Sequence, residues 1–526
     1  MRTPCDEIAI QSARGEVVLR AGCERWILIA TILGSSMAFI DSTVVNVALP
    51  ALQQSFQANV VDVQWVVESY GLFLGALILV GGSLGDSFGR RKMFNAGIAV
   101  FAIASIACGL ATSIRGLVVA RSVQGVGAAF LVPGSLSLIS ASFAEKTRGQ
   151  AIGTWSGFTA MTTAIGPVIG GWLIQHASWR WVFFINIPMA LAVLAVSFWR
   201  VPESRSSTAG GIDWLGTATA TLGLGGIVYG LITSVELGWR SIQVEASLAL
   251  GIGASIAFVL VERQAKSPML PLEMFRSRAF TGANLLTLFL YAAIGAFFFL
   301  FPMNLIQMHG YSATQAGAAS LPLILLMFVL SRWSGGLVVR RGARLPLVLG
   351  PLIVAIGFTA FLLTAHQSSY WKAYFPAFLV LGFGMSVTVA PLTTVVMSAV
   401  DQDRAGTASG INNAVARVAG VLAIAVLGIV MVHTFLPRLE SRISKMQLSD
   451  QVVSAVKAQE TRLAGLEPPR ELDPRKQEEI RTAVRDAFLF GFQAVMFICA
   501  GLAIASAAVA WSVIPARDVP KQRMIR

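Results

Sequence analysis

Two carboxylates fall well inside long apolar runs: Asp41, in FIDSTVVNVALP (Phe39 to Pro50), and Glu68, in QWVVESYGLFLG. An acid surrounded by lipid-facing protein is costly, so each marks a site by default. At Asp41 proton binding can be gated by which side has access to water, which suits a proton carrier. The structural alternative is a carboxylate permanently paired with an intramembrane arginine. Asn46 follows about one and a half turns along the same helix. Glu68 stands near the end of its run, with Gly71 and Gly75 on the same face, and reads either as a second proton or cation handle or as a solvated interfacial side chain beside Trp65 and Tyr70. Arg121, in ARSVQGVGAAF (Ala120 to Phe130), must find an acid or backbone carbonyls if buried. Asp41 is the natural candidate, and snorkelling to an interface is the alternative.

Small and polar residues add two further constellations. In TAIGPVIGGWL (Thr163 to Leu173), Gly166, Gly170 and Gly171 permit close helix contact and Pro167 interrupts the ladder, which makes either a bendable seam or an ordinary packing face. Asn412, Asn413 and Arg417 form a polar patch that either lines a cavity or bonds helices together. Soluble-enzyme signals fail. Gly81, Ser83 and Gly85 fit G-x-S-x-G, but no strand precedes them and no histidine lies nearby. With no H-E-x-x-H and no phosphate-binding loop, metal hydrolysis and ATP-driven pumping both lack machinery, so the chain is read as no enzyme. The expected energy source is a proton gradient, with no cofactor and no metal.

The elements that carry these residues are long apolar helices. The chain has 526 residues, 55% hydrophobic and 13% charged, against roughly 25% charge in soluble domains. That excess must face lipid. Windows of about 20 residues pick out fourteen spans, near 26–50, 65–84, 94–113, 116–142, 151–174, 180–200, 213–235, 243–262, 280–303, 315–338, 346–365, 372–399, 406–432 and 487–513. With the N-terminus inside, the inner segments hold 23 Lys and Arg, and the short outer loops hold four: Arg115, Arg180, Arg240 and Lys372. Such a split places both termini in the cytoplasm. The net charge of +13 therefore reports topology and excludes nucleic acid as a partner. Roughly residues 433–486 form a long outer loop, expected to be a helical hairpin broken at Pro468, Pro469 and Pro474. Leu439, Ile443, Met446, Val453 and Val456 would set one apolar face on the membrane or a partner.

An internal repeat organises the spans. GSLGDSFGRRK (Gly82 to Lys92) and GGLVVRRGAR (Gly335 to Arg344) stand 253 residues apart, and the same shift carries the first span onto the ninth and the fifth onto the thirteenth. The expected organisation is a tail at 1–25, a six-helix half at 26–200, two inserted helices with linkers at 201–279, a second half at 280–513 and a tail at 514–526. Repeated halves of this kind mark an alternating-access carrier.

Taken together these motifs resemble the major facilitator superfamily, and the fourteen spans resemble its drug/proton antiporter branch with two extra central helices. The likeness covers residues 26–513. It rests on FIDSTVVNVALP, GSLGDSFGRRK, ARSVQGVGAA, AIGPVIGG and WRWVFFINIP (Trp179 to Pro188). The resemblance implies an all-α polytopic fold, proton coupling through Asp41 and Arg121, and exchange supported by the Gly166/Pro167 seam. It also implies a cytoplasmic latch in the Gly82 motif, formed by Asp86, Gly89, Arg90 and Arg91, with Asp86 set against a helix N-terminus near residue 405. Ser87 stands where the family usually has a base, so one latch contact is missing. Export of small amphipathic or drug-like compounds across the inner membrane is the function implied. The tenth and thirteenth spans carry no acid, which disfavours strongly dicationic cargo. The alternatives are a dedicated exporter of a natural metabolite or lipid, and a non-transporting scaffold or sensor. A periplasmic adaptor docking on the outer hairpin is a further possible partner.

Overall fold

The computed structural model describes residues 23–143, 145–205, 213–265, 268–364, 369–400, 405–446, 448–469 and 471–515. Most of both expected tails, and residues 401–404 just before the helix start expected to face Asp86, lie outside them. Among the described residues there is no strand, and fourteen helices are long and apolar enough to cross a membrane. We number them α1 (Cys23–Phe56), α2 (Val60–Gly85), α3 (Arg90–Gly109), α4 (Ile114–Ser142), α5 (Ala151–His176), α6 (Trp181–Arg200), α7 (Trp214–Leu237), α8 (Ile242–Gln264), α9 (Arg278–Met308), α10 (Ala313–Leu330), α11 (Arg344–Leu363), α12 (Tyr370–Ser398), α13 (Thr407–Ile443) and α14 (Pro474–Val513). The chain is a multi-pass membrane protein with an all-α fold.

It packs as two compact units. The first holds Met1–Ala48, Val66–Gly226 and Ala249–Pro271; the second holds Leu49–Trp65, Ile227–Leu248 and Leu272–Arg526. Small residues knit the first unit together. A Cβ on Gly81 of α2 would overlap the Ala129 carbonyl of α4, and one on Gly97 of α3 would lie 2.9 Å from the Gly127 carbonyl of α4. Without a hydrophobic drive between helices in lipid, such backbone approach is what holds them. Ser113 caps α4 by accepting the Gly116 amide at 3.2 Å, which fixes where that helix starts.

Aromatic rings hold the second unit. Phe297 and Phe301 of α9, Phe358 and Phe361 of α11, and Tyr374 and Phe378 of α12 pack ring to ring at centroid separations such as 4.8 Å for Phe297–Phe361 and 5.1 Å for Phe301–Phe378. All six are buried. Asn412 of α13 donates to Asn284 Oδ1 (3.1 Å) and Thr287 Oγ1 (2.7 Å) of α9, bonding those two helices.

The expected hairpin at 433–486 is built differently. Its arms are continuations of α13, which runs to Ile443, and of α14, which starts at Pro474; a short helix, Asp450–Lys457, and a 3-10 segment, Glu460–Gly465, lie between them. Leu439, Ile443 and Val456 of the expected apolar face are buried, as are Leu463, Leu466 and Ile480. That part of the face is thus covered by the chain itself. Met446 and Val453 are only half-buried. The same segment also caps α1. The Arg462 guanidinium donates to the Gln57 carbonyl (3.2 Å) and to Gln57 Oε1 (3.0 Å), where Gln57 has left the helix at φ 52°. A cation there answers the negative end of the helix dipole.

Phe297→Ala should cost about 3–5 kcal/mol and lower the thermal unfolding midpoint of the purified protein. Phe497→Ala, at a ring that is 70% exposed, should leave it near the parent value.

Candidate functional site

Asp41 and Arg121 meet. Both are buried, at 0% and 1% exposure, and Arg121 Nη1 donates to Asp41 Oδ2. Arginine keeps its charge at any accessible pH, so the helices around it must satisfy a permanent cation. Arg121 Nε donates to the Val66 carbonyl of α2 at 3.0 Å, and Nη1 also reaches Gln124 Oε1 at 2.6 Å, one turn along α4. Tyr70 of α2 lays its ring 4.3 Å from the guanidinium carbon, while its hydroxyl donates to the Ala38 carbonyl of α1 at 3.2 Å. Phe183 faces the guanidinium at 5.9 Å. Desolvated cation–π contact of this kind favours the charged arginine.

The acid is equally enclosed. Gln124 Nε2 donates to Asp41 Oδ1 at 2.8 Å, and Asn186 Nδ2 of α6 donates to the same oxygen at 3.2 Å. Ser105 of α3 ties these amides together, with its hydroxyl 2.8 Å from Gln124 Nε2 and 3.3 Å from Asn186 Nδ2. Residues from α1, α2, α3, α4 and α6 therefore converge on one ion pair. Removing one partner of such a pair typically costs 3–5 kcal/mol, so the pair can do work only if the acid's charge is neutralised in place. Arg121 does not snorkel, because its partner and the carbonyl it needs are both in the interior.

The glycine seam lies against the same stretch of α1. A Cβ on Gly166 would stand 2.6 Å from Thr43 Oγ1, and one on Gly170 would overlap Val44 Cγ2. Pro167, having no N–H, frees the Thr163 carbonyl, which lies 3.5 Å from the Thr43 hydroxyl. The seam thus packs beside Asp41; Gly171 is buried on α5.

Other sequence-selected residues lie apart from this cluster. Glu68 is fully buried, and neither of its oxygens has a hydrogen-bond partner among the described residues. The solvated interfacial reading is therefore wrong: helix α2 turns the side chain inward. Asn46 is half-buried with Oδ1 unpartnered. Asn412 serves helix packing as described above, and Asn413 is exposed with its amide on the Ser409 carbonyl at 3.0 Å. Arg417 is half-buried, with Tyr291 in its electrostatic reach.

The loop motif after α2 has a partner that sequence reasoning missed. Glu203, in the segment after α6, accepts the Arg91 and Lys92 amides at 3.0 and 3.2 Å, and the Ser204 carbonyl accepts the Arg90 amide at 2.8 Å. These are otherwise orphan donors of the first turn of α3. Arg91 Nη1 adds a bond to the Val201 carbonyl at 2.9 Å. Gly89 is required twice over: its φ is 114°, and a Cβ would meet Glu203 Oε1 at 2.8 Å. Gly82 has only an ordinary contact, with Pro133. The Asp86 side chain lies outside the described residues.

Sequence reasoning also missed Gln124, Asn186, Ser105 and Tyr70 as partners of the ion pair. Gln124 was detectable as a polar residue one turn from Arg121 inside a span, and Asn186 as an amide within WRWVFFINIP. Glu262, placed at the very edge of a span, is buried and accepts the Leu270 amide at 3.0 Å.

A fourteen-helix membrane protein with a repeated half and an ion pair buried in one of its units is the build of a carrier. Residues 31–424 match the Major Facilitator Superfamily, and the chain belongs to it. It is 32% identical over 501 residues to the multidrug resistance protein Stp of Mycobacterium tuberculosis (strain CDC 1551 / Oshkosh), covering 94% of this chain and 92% of that one. It is 33% identical over 488 residues to the tetracenomycin C resistance and export protein of Streptomyces glaucescens, covering 92% and 90%. In fold it is similar to a bacterial homolog of the human lysosomal transporter Spinster in an inward-facing, unoccupied conformation, with a TM-score of 0.63 and 17% identity over 93% of this chain and 98% of that one. The protein is thus a transporter and not an enzyme.

Gly170→Ala should abolish transport in reconstituted vesicles while the protein still inserts, because its methyl group and Val44 Cγ2 claim one space. Val44→Ala in the same chain should restore a substantial part of the rate. Failure of the pair to recover would show that α5 is not limited by this contact.

Proposed function

We propose that the protein is a proton-coupled antiporter that exports small amphipathic compounds by alternating access. The observation that carries this reading is the buried Asp41–Arg121 pair. With the arginine permanently charged, the acid is the partner whose charge can change, and a proton arriving there removes the attraction that holds α1 to α4. Glu68 is a second candidate, since an acid buried without a donor is costly unless it takes a proton or meets a cationic group. One charge moving across about 100 mV is worth roughly 2.3 kcal/mol, so one proton per cycle could sustain a useful gradient. We place the protein in a cytoplasmic membrane with both termini inside, on the uneven spread of Lys and Arg between its loops.

Two relatives bear on the cargo. One is named for multidrug resistance and one for resistance to and export of tetracenomycin C, so a polyspecific pump and an exporter dedicated to one metabolite are both on the table. The first is favoured here for monocationic, neutral or anionic compounds, because the apolar stretches of α10 and α13, residues 315–330 and 407–432, bring no acid to oppose a dication. Inhibition of efflux by chemically unrelated compounds separates the two: a dedicated exporter is insensitive to most of them.

In proteoliposomes loaded with ethidium, a lipophilic monocation, an imposed pH gradient should drive efflux that an uncoupler abolishes. Asp41→Asn should reduce this to the protein-free leak without lowering the amount of inserted protein. Ethidium-induced proton movement retained in that variant would falsify the role of Asp41. Efflux indifferent to the uncoupler would remove proton coupling altogether.

A further inference from the structure

The hydrogen bonds on Asp41 are all donated to it. Arg121 Nη1 serves Oδ2, while Gln124 Nε2 and Asn186 Nδ2 serve Oδ1. That shell fits a carboxylate. A neutral acid carries an extra O–H, which finds no acceptor there, so one of the donors must turn away when a proton binds. Arg121 has no acceptor atom to offer. Gln124 is held at both ends: its Oε1 accepts from Arg121 and stands 3.7 Å from Cys108 Sγ, and its Nε2 also reaches Ser105. Reversing its amide would set N–H groups against the guanidinium. Asn186 is different, because its Oδ1 is buried with no partner among the described residues.

We propose that Asn186 is a positioning residue that switches with the protonation of Asp41. Its amide donates to the carboxylate, and it turns by about half a revolution about χ2 to accept from the acid. In the step, one proton delivered by hydronium binds Asp41 Oδ1, the O–H bond broken is the hydronium's, water is released, and the new O–H donates to the reversed Asn186 oxygen. Terminal amide torsions have two broad, nearly equivalent wells, so the turn itself is inexpensive. Before the turn Asn186 Oδ1 has no partner among the described residues, while Nδ2 also reaches the Ser105 hydroxyl at 3.3 Å, a group that can donate to the reversed oxygen as it now accepts from the N–H. The proton on Asp41 therefore decides between the two orientations.

The surroundings suit such a switch. Asn186 is the first residue of the second of two helical segments of α6, Trp181–Phe184 and Asn186–Arg200, which meet at Ile185, and Pro188 removes the N–H that would have bonded the Phe184 carbonyl. A change in its hydrogen bonding thus acts on a helix that is already interrupted. The charged or titratable groups facing the cluster are Arg121 on α4, Cys108 on α3 and Tyr70 on α2; α5 presents Gly166 and Gly170 to α1. Arg121 keeps its charge at any accessible pH, so the switch follows the acid.

The switch rests on proton binding at Asp41, and its test separates the two. Acid-minus-alkaline infrared difference spectra would be recorded on the full chain in lipid nanodiscs, with carbon-13 in the asparagine side-chain carbonyls. The expected result is a carboxyl band, absent in Asp41→Asn, that titrates together with an asparagine carbonyl band, absent in Asn186→Leu, at one shared midpoint. Asn186→Ser provides the same assignment if the leucine variant does not fold. A carboxyl band that titrates while the asparagine carbonyl stays fixed overturns the switch and leaves Asp41 as the proton site. A carboxyl band that never titrates overturns both.

Discussion

A guanidinium that cannot lose its charge, enclosed among apolar helices, sets the terms for the first unit. Arg121 must be met by an acid, a carbonyl, an amide oxygen and a ring face, and these come from Asp41, Val66, Gln124 and Tyr70 on three different helices. Each partner needs its own support. Ser105 on α3 and Asn186 on α6 hold the amides and the acid. The close backbone contacts at Gly81, Gly97 and Gly127 follow from the same demand, because α2, α3 and α4 can reach one residue only if their axes come near. Charge, hydrogen bonding and small residues are one constraint expressed three ways.

The second unit solves the same positions without charge. Shifted by the repeat offset of 253 residues, Ser105 falls on Phe358, Cys108 on Phe361 and Arg121 on Tyr374. Those three belong to the ring cluster built around Phe297 and Phe301. One half of the duplicated chain thus holds a titratable network where the other holds interlocked aromatic rings. Ring packing has no charge state to change and resists deformation, whereas the polar network has an acid whose neutralisation alters every bond around it. Under the proposed coupling, one of the two halves would respond to protons and the other would not.

Much of this was legible in the chain itself, for definite reasons. Fourteen spans stood out because 20-residue apolar windows are long and few sequences reach them by accident. Asp41 and Arg121 stood out because charges are rare in such windows. Gln124, Asn186 and Ser105 did not, since uncharged polar residues are common in membrane helices and most merely bond their own backbone, as Thr359 does with Ala355. Glu68 was misplaced because linear position near a span's end says nothing about which way a helix face turns. The long loop was misread in its geometry: apolar periodicity showed an amphipathic segment, but that Leu439 and Val456 are buried within the chain itself is a matter of tertiary packing that periodicity does not carry.

Helix α1 is held at several points along its length by contacts of different kinds. At Asp41 the helix is bonded to α4 and α6; at Ile40, Thr43 and Val44 it lies against the glycine face of α5; at Gln53 and Gln57 it is held by Arg462 and, through Gln53, by Gln307 of α9. These attachments differ in kind. The glycine contact is steric and indifferent to charge, and the Arg462 contact is a dipole and hydrogen-bond cap whose partners do not titrate. Only the Asp41 attachment involves an acid. Under the proposed proton coupling, neutralising it would leave α1 held by shape along α5, so any motion would be a slide or tilt against the α5 seam. Pro167 has already removed one backbone bond from that seam, and α5 is therefore the helix best able to follow.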